Sequence, residues 1–162
     1  CRLRDCRVGE GSQVQYAVLV GSSFGRECKI GPFAYIRPDS KVGNHVKIGD
    51  FVEIKKTTIG DGSKVPHHTY LGDSLLGANV NIGAGTITCN YDGEKKSVTT
   101  IRDNVFVGSN SNLVAPVEIG KNAYIAAGST INENVPEDSL AIARQRQTNI
   151  EGWVAKKGKK KE

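Results

Sequence analysis

An aliphatic residue recurs every six positions through most of this 162-residue chain. From Ile30 the steps fall on Ile36, Val42, Ile48 and Ile54. The register drops by one residue to Ile59, runs through Val65 and Leu71, drops again to Leu76, then passes Ile82 to Thr88. After an interruption it resumes at Ile101 and continues through Val107, Leu113, Ile119 and Ile125 to Ile131. Of these 17 positions 16 are Ile, Leu or Val, and the residue four places on is Ala, Ser, Thr or Val in 15 of them. Gly often follows the aliphatic, as at Gly31, Gly49, Gly83 and Gly108. Upstream the pattern continues loosely at Val8, Val14 and Phe24. An amphipathic helix needs spacings of three and four, and a hairpin strand needs strict alternation. A six-residue unit with one buried aliphatic, one small residue and a glycine-assisted bend fits a parallel β-helix of hexapeptide repeats, three units to a coil. The fold expected is therefore all-β, with the β-helix over 1–135.

Two segments break the register. Residues 89–100, CNYDGEKKSVTT, are polar and hold an Asp-Gly turn signal, which predicts a loop projecting from the prism. Pro136 closes the repeats, and 136–153 reads as a C-terminal arm with a short helix near 148–154. Residues 154–162 read as a basic disordered tail. Within it, 156–162 hold five Lys and one Glu, so they carry four of the chain's five net positive charges. The body is nearly neutral and few aromatics interleave with its cations, which argues against nucleic acid as a partner. No apolar run approaches the ~18 residues of a membrane span. Cys1, Cys6, Cys28 and Cys89 form no C-x-x-C pair and match no zinc spacing. They read as reduced thiols of a cytoplasmic protein, with a Cys1–Cys6 disulfide left open. The chain lacks Met and opens CRLRDCRVGEG, so it reads as part of something longer.

Equivalent residues of successive coils stack about 4.8 Å apart. The coils start at Ile30, Ile48, Val65, Ile82, Ile101 and Ile119, and the second strands at Ile36, Ile54, Leu71, Thr88, Val107 and Ile125. Arg37 then stacks on Lys55. Two cations one strand spacing apart repel unless an anion or a carboxylate lies between them. A bound phosphate would serve, and so would Glu53. On this register Asn90, Ser109 and Ala127 share a column, and small residues there leave a groove for an extended ligand. The segment 65–73, VPHHTYLGD, interrupts a plain repeat with two histidines and a tyrosine. His67 falls between Asp50 below and Ala84 above, and Tyr70 falls over Glu53.

The strings FVEIKK, HHTYLGD, NVNIGAGTITCNYDG, FVGSNSNLVAPV, IAAGSTI and LAIARQRQ…EGW closely resemble the C-terminal acetyltransferase half of the bacterial bifunctional N-acetylglucosamine-1-phosphate uridyltransferase/glucosamine-1-phosphate N-acetyltransferase family. The likeness spans 30–153 and is looser upstream. It implies a left-handed coil and a homotrimer with sites between subunits. It implies acetyl transfer from acetyl-CoA to the amine of glucosamine 1-phosphate. The product, N-acetylglucosamine 1-phosphate, would feed UDP-N-acetylglucosamine and cell-wall synthesis. The glycine-rich loop of the family's Mg²⁺-dependent uridyltransferase half does not occur in this chain. Carried over by position, His67 would be the general base. Arg37, Lys55, Tyr70, Asn81 and Lys96 would hold the sugar phosphate. The N–H of Ala84 would face the thioester carbonyl, and Asn90, Tyr91, Ser109, Ala127 and Arg144 would line the acetyl-CoA groove. From the stacking columns rather than the resemblance, Asp50 or Glu53 would orient His67. His68, where relatives often carry an apolar residue, is expected to be incidental.

Three other readings remain in view. A zinc hydratase on this fold needs three converging histidines. The chain has only His45, His67 and His68, and adjacent strand residues point to opposite faces. A non-catalytic trimerisation scaffold would have no use for stacked cations beside a histidine. A hexapeptide acyltransferase with another acceptor keeps the same base. Cys89 is a poor nucleophile candidate beside an aliphatic column.

Overall fold

The computed structural model describes residues 1–157. The positions 158–162 of the expected basic tail lie outside the described residues. The chain winds as a left-handed parallel β-helix of about eight coils. All strand pairs are parallel, and each strand pairs with the equivalent strand one coil away. The coil already operates near the start. Val8 pairs with Phe24, Val14 with Ile30, and Leu19 with Ile36.

One aliphatic column fills the prism from each face. Leu19, Ile36, Ile54, Leu71 and Leu113 line the second face with no exposed surface. Ile48, Val65, Ile82, Val107 and Ile125 do the same from the first. The small residues sit at the inner side of the corners and satisfy its backbone. Ser63 Oγ donates to Gly77 O at 2.8 Å and accepts from Val80 N at 3.0 Å. Where the register drops, the corner is one residue shorter, so the buried small residues are Thr57 and Ser74 rather than the positions four on. Glycine is needed where coils approach closely: a Cβ on Gly49 would lie 1.8 Å from Pro66 O.

The insertion changes the register of everything after it. Ile82 pairs with Val107, not Ile101, and Val107 with Ile125. Thr88 pairs with Leu113, and Ile101 with Leu76 and Ile119. The expected coil starts Ile101 and Ile119 thus lie on the third face, and Val107 and Ile125 on the first. The physical reason is that the projecting loop replaces a corner, so the chain re-enters the prism one face later. The repeat also extends past the expected close at Pro136, because Leu140–Ala141 pairs with Tyr124–Ile125. The arm's helix runs over Trp153–Lys156, later than the 148–154 expected. All four cysteines are free thiols, Cys1 and Cys6 included.

Two strands are unlike the rest. Lys47–Lys55 and Lys64–Gly72 each run nine residues and cross the corner between the first and second faces. They pair with each other from Lys47↔Lys64 to Lys55↔Gly72. Phe51 and His68 turn that corner at positive φ, as Tyr16 and Phe33 do below. These four rings stack in sequence, with centroids 6.0, 5.5 and 5.1 Å apart. His68 therefore has a structural place as the upper ring of this ladder, against the expectation that it is incidental.

Core columns predict where stability resides. Replacing Ile54, which is fully buried, by Ala is expected to cost about 2–5 kcal/mol. Exposed Thr58→Ala is expected to stay within about 0.5 kcal/mol. Urea midpoints at constant slope measure both.

Candidate active site

The two nine-residue strands carry a histidine–carboxylate pair just before their shared corner and lead to a cluster of cations beyond it. His67 pairs with Asp50 across the ladder, and its Nδ1 lies 2.6 Å from Asp50 Oδ1. That hydrogen bond holds the Asp50 carboxyl below its ordinary value. A carboxylate only accepts, so in the neutral ring the proton sits on Nδ1 and Nε2 is left as an acceptor. The imidazole is half exposed, so substrate can reach it. Glu53 takes no part in orienting His67. It lies on the second face, where its Oε1 accepts from Arg37 Nη1 at 3.0 Å. Of the two candidate orienters, only Asp50 has the register to reach the ring.

Arg37 and Lys55 do stack in one column, and each has its own carboxylate. The hydrogen bond to Glu53 raises the Arg37 pKa above its ordinary value. Lys55 Nζ lies 3.0 Å from Asp73 Oδ2, with the side chains 17% and 8% exposed. Burial works to raise the Asp73 carboxyl, but hydrogen bonds from Lys55 and Asn90 outweigh it and hold the group below its usual range. Lys55 is raised above its own, first by Asp73. Lys96 comes in from the inserted loop, close enough that Lys55 pushes its pKa down. Three cations thus converge on two carboxylates. Tyr70 stands over Glu53, with its hydroxyl 3.4 Å from Asn90 Nδ2.

Asn90 belongs to this cluster and not to the groove column. It is buried, and its Nδ2 donates to Asp73 Oδ2 at 2.6 Å. Its expected alignment with Ser109 and Ala127 fails because the insertion follows it. The groove column is instead Ala84, Ser109 and Ala127, directly above His67. The N–H groups of these three residues donate to no backbone or side-chain group among the described residues. Their side chains are small, so this column leaves a row of unpaired donors. Arg144 Cδ reaches the upper end of this row, 3.9 Å from where a Cβ on Gly128 would sit. Tyr91 is exposed on the loop and bridges Lys96 across it. Asn81 lies on the first face beside Lys64 and Phe106, apart from the cation cluster of the same chain.

Asp73 was not singled out from the sequence. A signal existed: two places beyond Leu71 and Thr88, Asp73 and Asn90 share a column. Among the described residues no group of three or more His, Cys, Asp or Glu could hold a metal ion. No helix there is long and apolar enough to cross a membrane.

The Lys55–Asp73 pair has a definite pH signature. The depressed Asp73 pKa stabilises the fold above the unfolded carboxylate value of ~3.9. That contribution is lost as pH falls through the folded value. The raised Lys55 pKa stabilises it below the unfolded ammonium value of ~10.4, and this is lost as pH rises through the folded one. The Tm difference between wild type and Lys55→Met is therefore expected to be widest from about pH 4 to 10 and to shrink on both sides.

Comparison with known proteins follows the same geography. The GMPPB C-terminal domain matches residues 23–99, and the bacterial transferase hexapeptide (six repeats) matches 99–133. The bifunctional protein GlmU of Caldanaerobacter subterraneus subsp. tengcongensis is 65% identical over 159 residues, which cover 98% of this chain and 35% of that protein. Its counterpart in Carboxydothermus hydrogenoformans is 57% identical over 153 residues, covering 94% of this chain and 34% of that protein. The chain thus spans roughly a third of the length of these curated relatives, and the likeness reaches the N-terminal coils. Among solved structures, the polySia-specific acetyltransferase NeuO superposes with a TM-score of 0.51 at 20% identity, over 91% of this chain and 81% of that one. That likeness concerns the fold.

Proposed function

The chain belongs to the family of the bifunctional GlmU proteins, as a relative of their C-terminal part, and on that footing we propose that it transfers the acetyl group of acetyl-CoA to the amine of glucosamine 1-phosphate. The observation that carries this is the strand Lys64–Gly72. It presents a base before the corner and leads to an anion-holding cluster beyond it. His67 and Gly72, the residue paired with Lys55, are five places apart, at most ~16 Å along an extended strand. An amino sugar phosphate fits between them, amine toward the imidazole and phosphate toward the cations.

His67 accepts the amine proton at Nε2 as nitrogen attacks the thioester carbon. Asp50 holds the ring and favours the imidazolium that forms. The open N–H of Ala84, above the imidazole, is placed to donate to the carbonyl oxygen as negative charge develops there. Collapse of the adduct expels the CoA thiolate, and no acetyl-enzyme intermediate is required. The open N–H groups at Ser109 and Ala127 continue the donor row along an extended acyl donor, with Arg144 at its upper end. Arg37, Lys55 and Lys96 hold the phosphate, assisted by Tyr70. A dianionic group would offset the surplus positive charge left by the two carboxylates.

The distant Asn81 fits a site shared between subunits of a trimer, in which a neighbour supplies that residue. The product would be a precursor of UDP-N-acetylglucosamine for cell-wall synthesis, made in the cytoplasm. Mg²⁺ would belong to the family's nucleotide-handling half, and the described residues offer it no ligand cluster.

Thiol release from acetyl-CoA with glucosamine 1-phosphate tests the reading directly, and a folded trimer without activity would sink it. His67→Ala is expected to lower kcat by about 10²–10⁴ while acetyl-CoA binding is kept. Lys55→Ala is expected to raise KM for the phosphorylated sugar and spare turnover of free glucosamine. Equal losses on both sugars would remove the phosphate assignment.

A further inference from the structure

Asp73 has no role in the chemistry above, yet it touches both Lys55 and the base of the inserted loop. It is buried and turns the corner at φ 49°. Its Oδ2 accepts from Lys55 Nζ at 3.0 Å and from Asn90 Nδ2 at 2.6 Å. Its main chain is engaged as well: its N–H donates to Lys55 O at 3.0 Å, and its carbonyl accepts from Thr99 N at 3.3 Å. Asn90 and Thr99 flank the inserted loop, and Ser97 N donates to Asn90 O at 2.9 Å to close its base. The loop carrying Lys96 is therefore tied at both ends to one residue.

The fold does not need this carboxylate. Asp5, Gly21 and Lys56 turn the same corner in lower coils at positive φ. Asp5 and Lys56 are exposed there, and Gly21 has no side chain. A buried carboxylate is costly unless paired, and a buried ion pair is weak support for stability. Its presence in this coil alone coincides with the cation cluster and the insertion.

We propose that Asp73 is a positioning residue that sets two of the cations offered to the sugar phosphate, Lys55 directly and Lys96 by clamping the base of the inserted loop through Asn90 and Thr99. This rests on the acetyl-transfer reading for the identity of the substrate. The clamp itself rests on the geometry.

Steady-state kinetics on the intact protein test this. Asp73→Asn is expected to raise KM for glucosamine 1-phosphate by about tenfold, the scale of one charge-assisted hydrogen bond, with smaller changes in kcat and in KM for acetyl-CoA. In the Asp73→Asn/Lys55→Ala double variant the losses should not add, because Asp73 acts through that side chain. Asp73→Gly, suited to the positive φ, removes the carboxylate without strain if the Asn variant folds poorly. An unchanged KM for the phosphorylated sugar in both Asp73 variants, or additive losses in the double variant, would overturn the proposal. Tryptic cleavage at Lys95 and Lys96 reads the clamp without catalysis and is expected to accelerate about tenfold in Asp73→Gly. Accelerated cleavage in a protein whose wild type transfers no acetyl group would keep the clamp and reject the acetyl-transfer reading. Unaltered cleavage would reject the clamp.

Discussion

The parallel hydrogen-bonded stacking of coil on coil is the interaction on which everything else rests. Each coil offers its neighbour a ladder of backbone donors and acceptors, and one aliphatic side chain per face enters the prism. Burial of that column supplies the driving force. The outward positions are then free to vary, but their spacing is not free. Whatever residue stands at one position has a neighbour about 4.8 Å above and below. Chemistry on such a surface is a matter of columns, and the site exploits two of them. Asp50, His67, Ala84, Ser109 and Ala127 rise in one, and Lys55 stands over Arg37 in the other.

The same regularity creates an electrostatic problem and its solution. Stacked cations repel, so Arg37 takes Glu53 and Lys55 takes Asp73. With Lys96 added from the loop, positive charge remains in surplus over the two carboxylates. The Lys55–Asp73 pair is the more buried of the two ion pairs and the more consequential. Water screens the Arg37–Glu53 pair, whose side chains are far more exposed, and pairs of that kind contribute little to stability.

Much of this was legible in the six-residue period. Arg37 within reach of Glu53 one coil above, Tyr70 over Glu53, and His67 between Asp50 and Ala84 all follow from counting within the uninterrupted coils, and the structure places them so. The count failed past residue 89. The loop takes the place of a corner and carries the chain to the next face, and no periodicity on either side records that. Asn90 was therefore aligned with Ser109 and Ala127, when it stands over Asp73 instead. His68 reads as incidental in the sequence because relatives often carry an apolar residue there. Its ring is the upper member of a stack that only the positive-φ corner brings into line.

The sequence by itself determined the β-helix, its core columns and the local register of each uninterrupted run, because a single buried aliphatic every six residues admits no other regular burial. It also determined which residue types were available for acid–base and anion-binding work. Only the tertiary structure decided which carboxylate serves which cation, and which face the chain resumes on after the loop. It also decided that one buried oxygen of Asp73 joins Lys55 to Asn90. Those outcomes depend on side-chain reach across a corner and on how an insertion re-enters the prism. Both are set by three-dimensional closure of the coil and not by spacing along the chain.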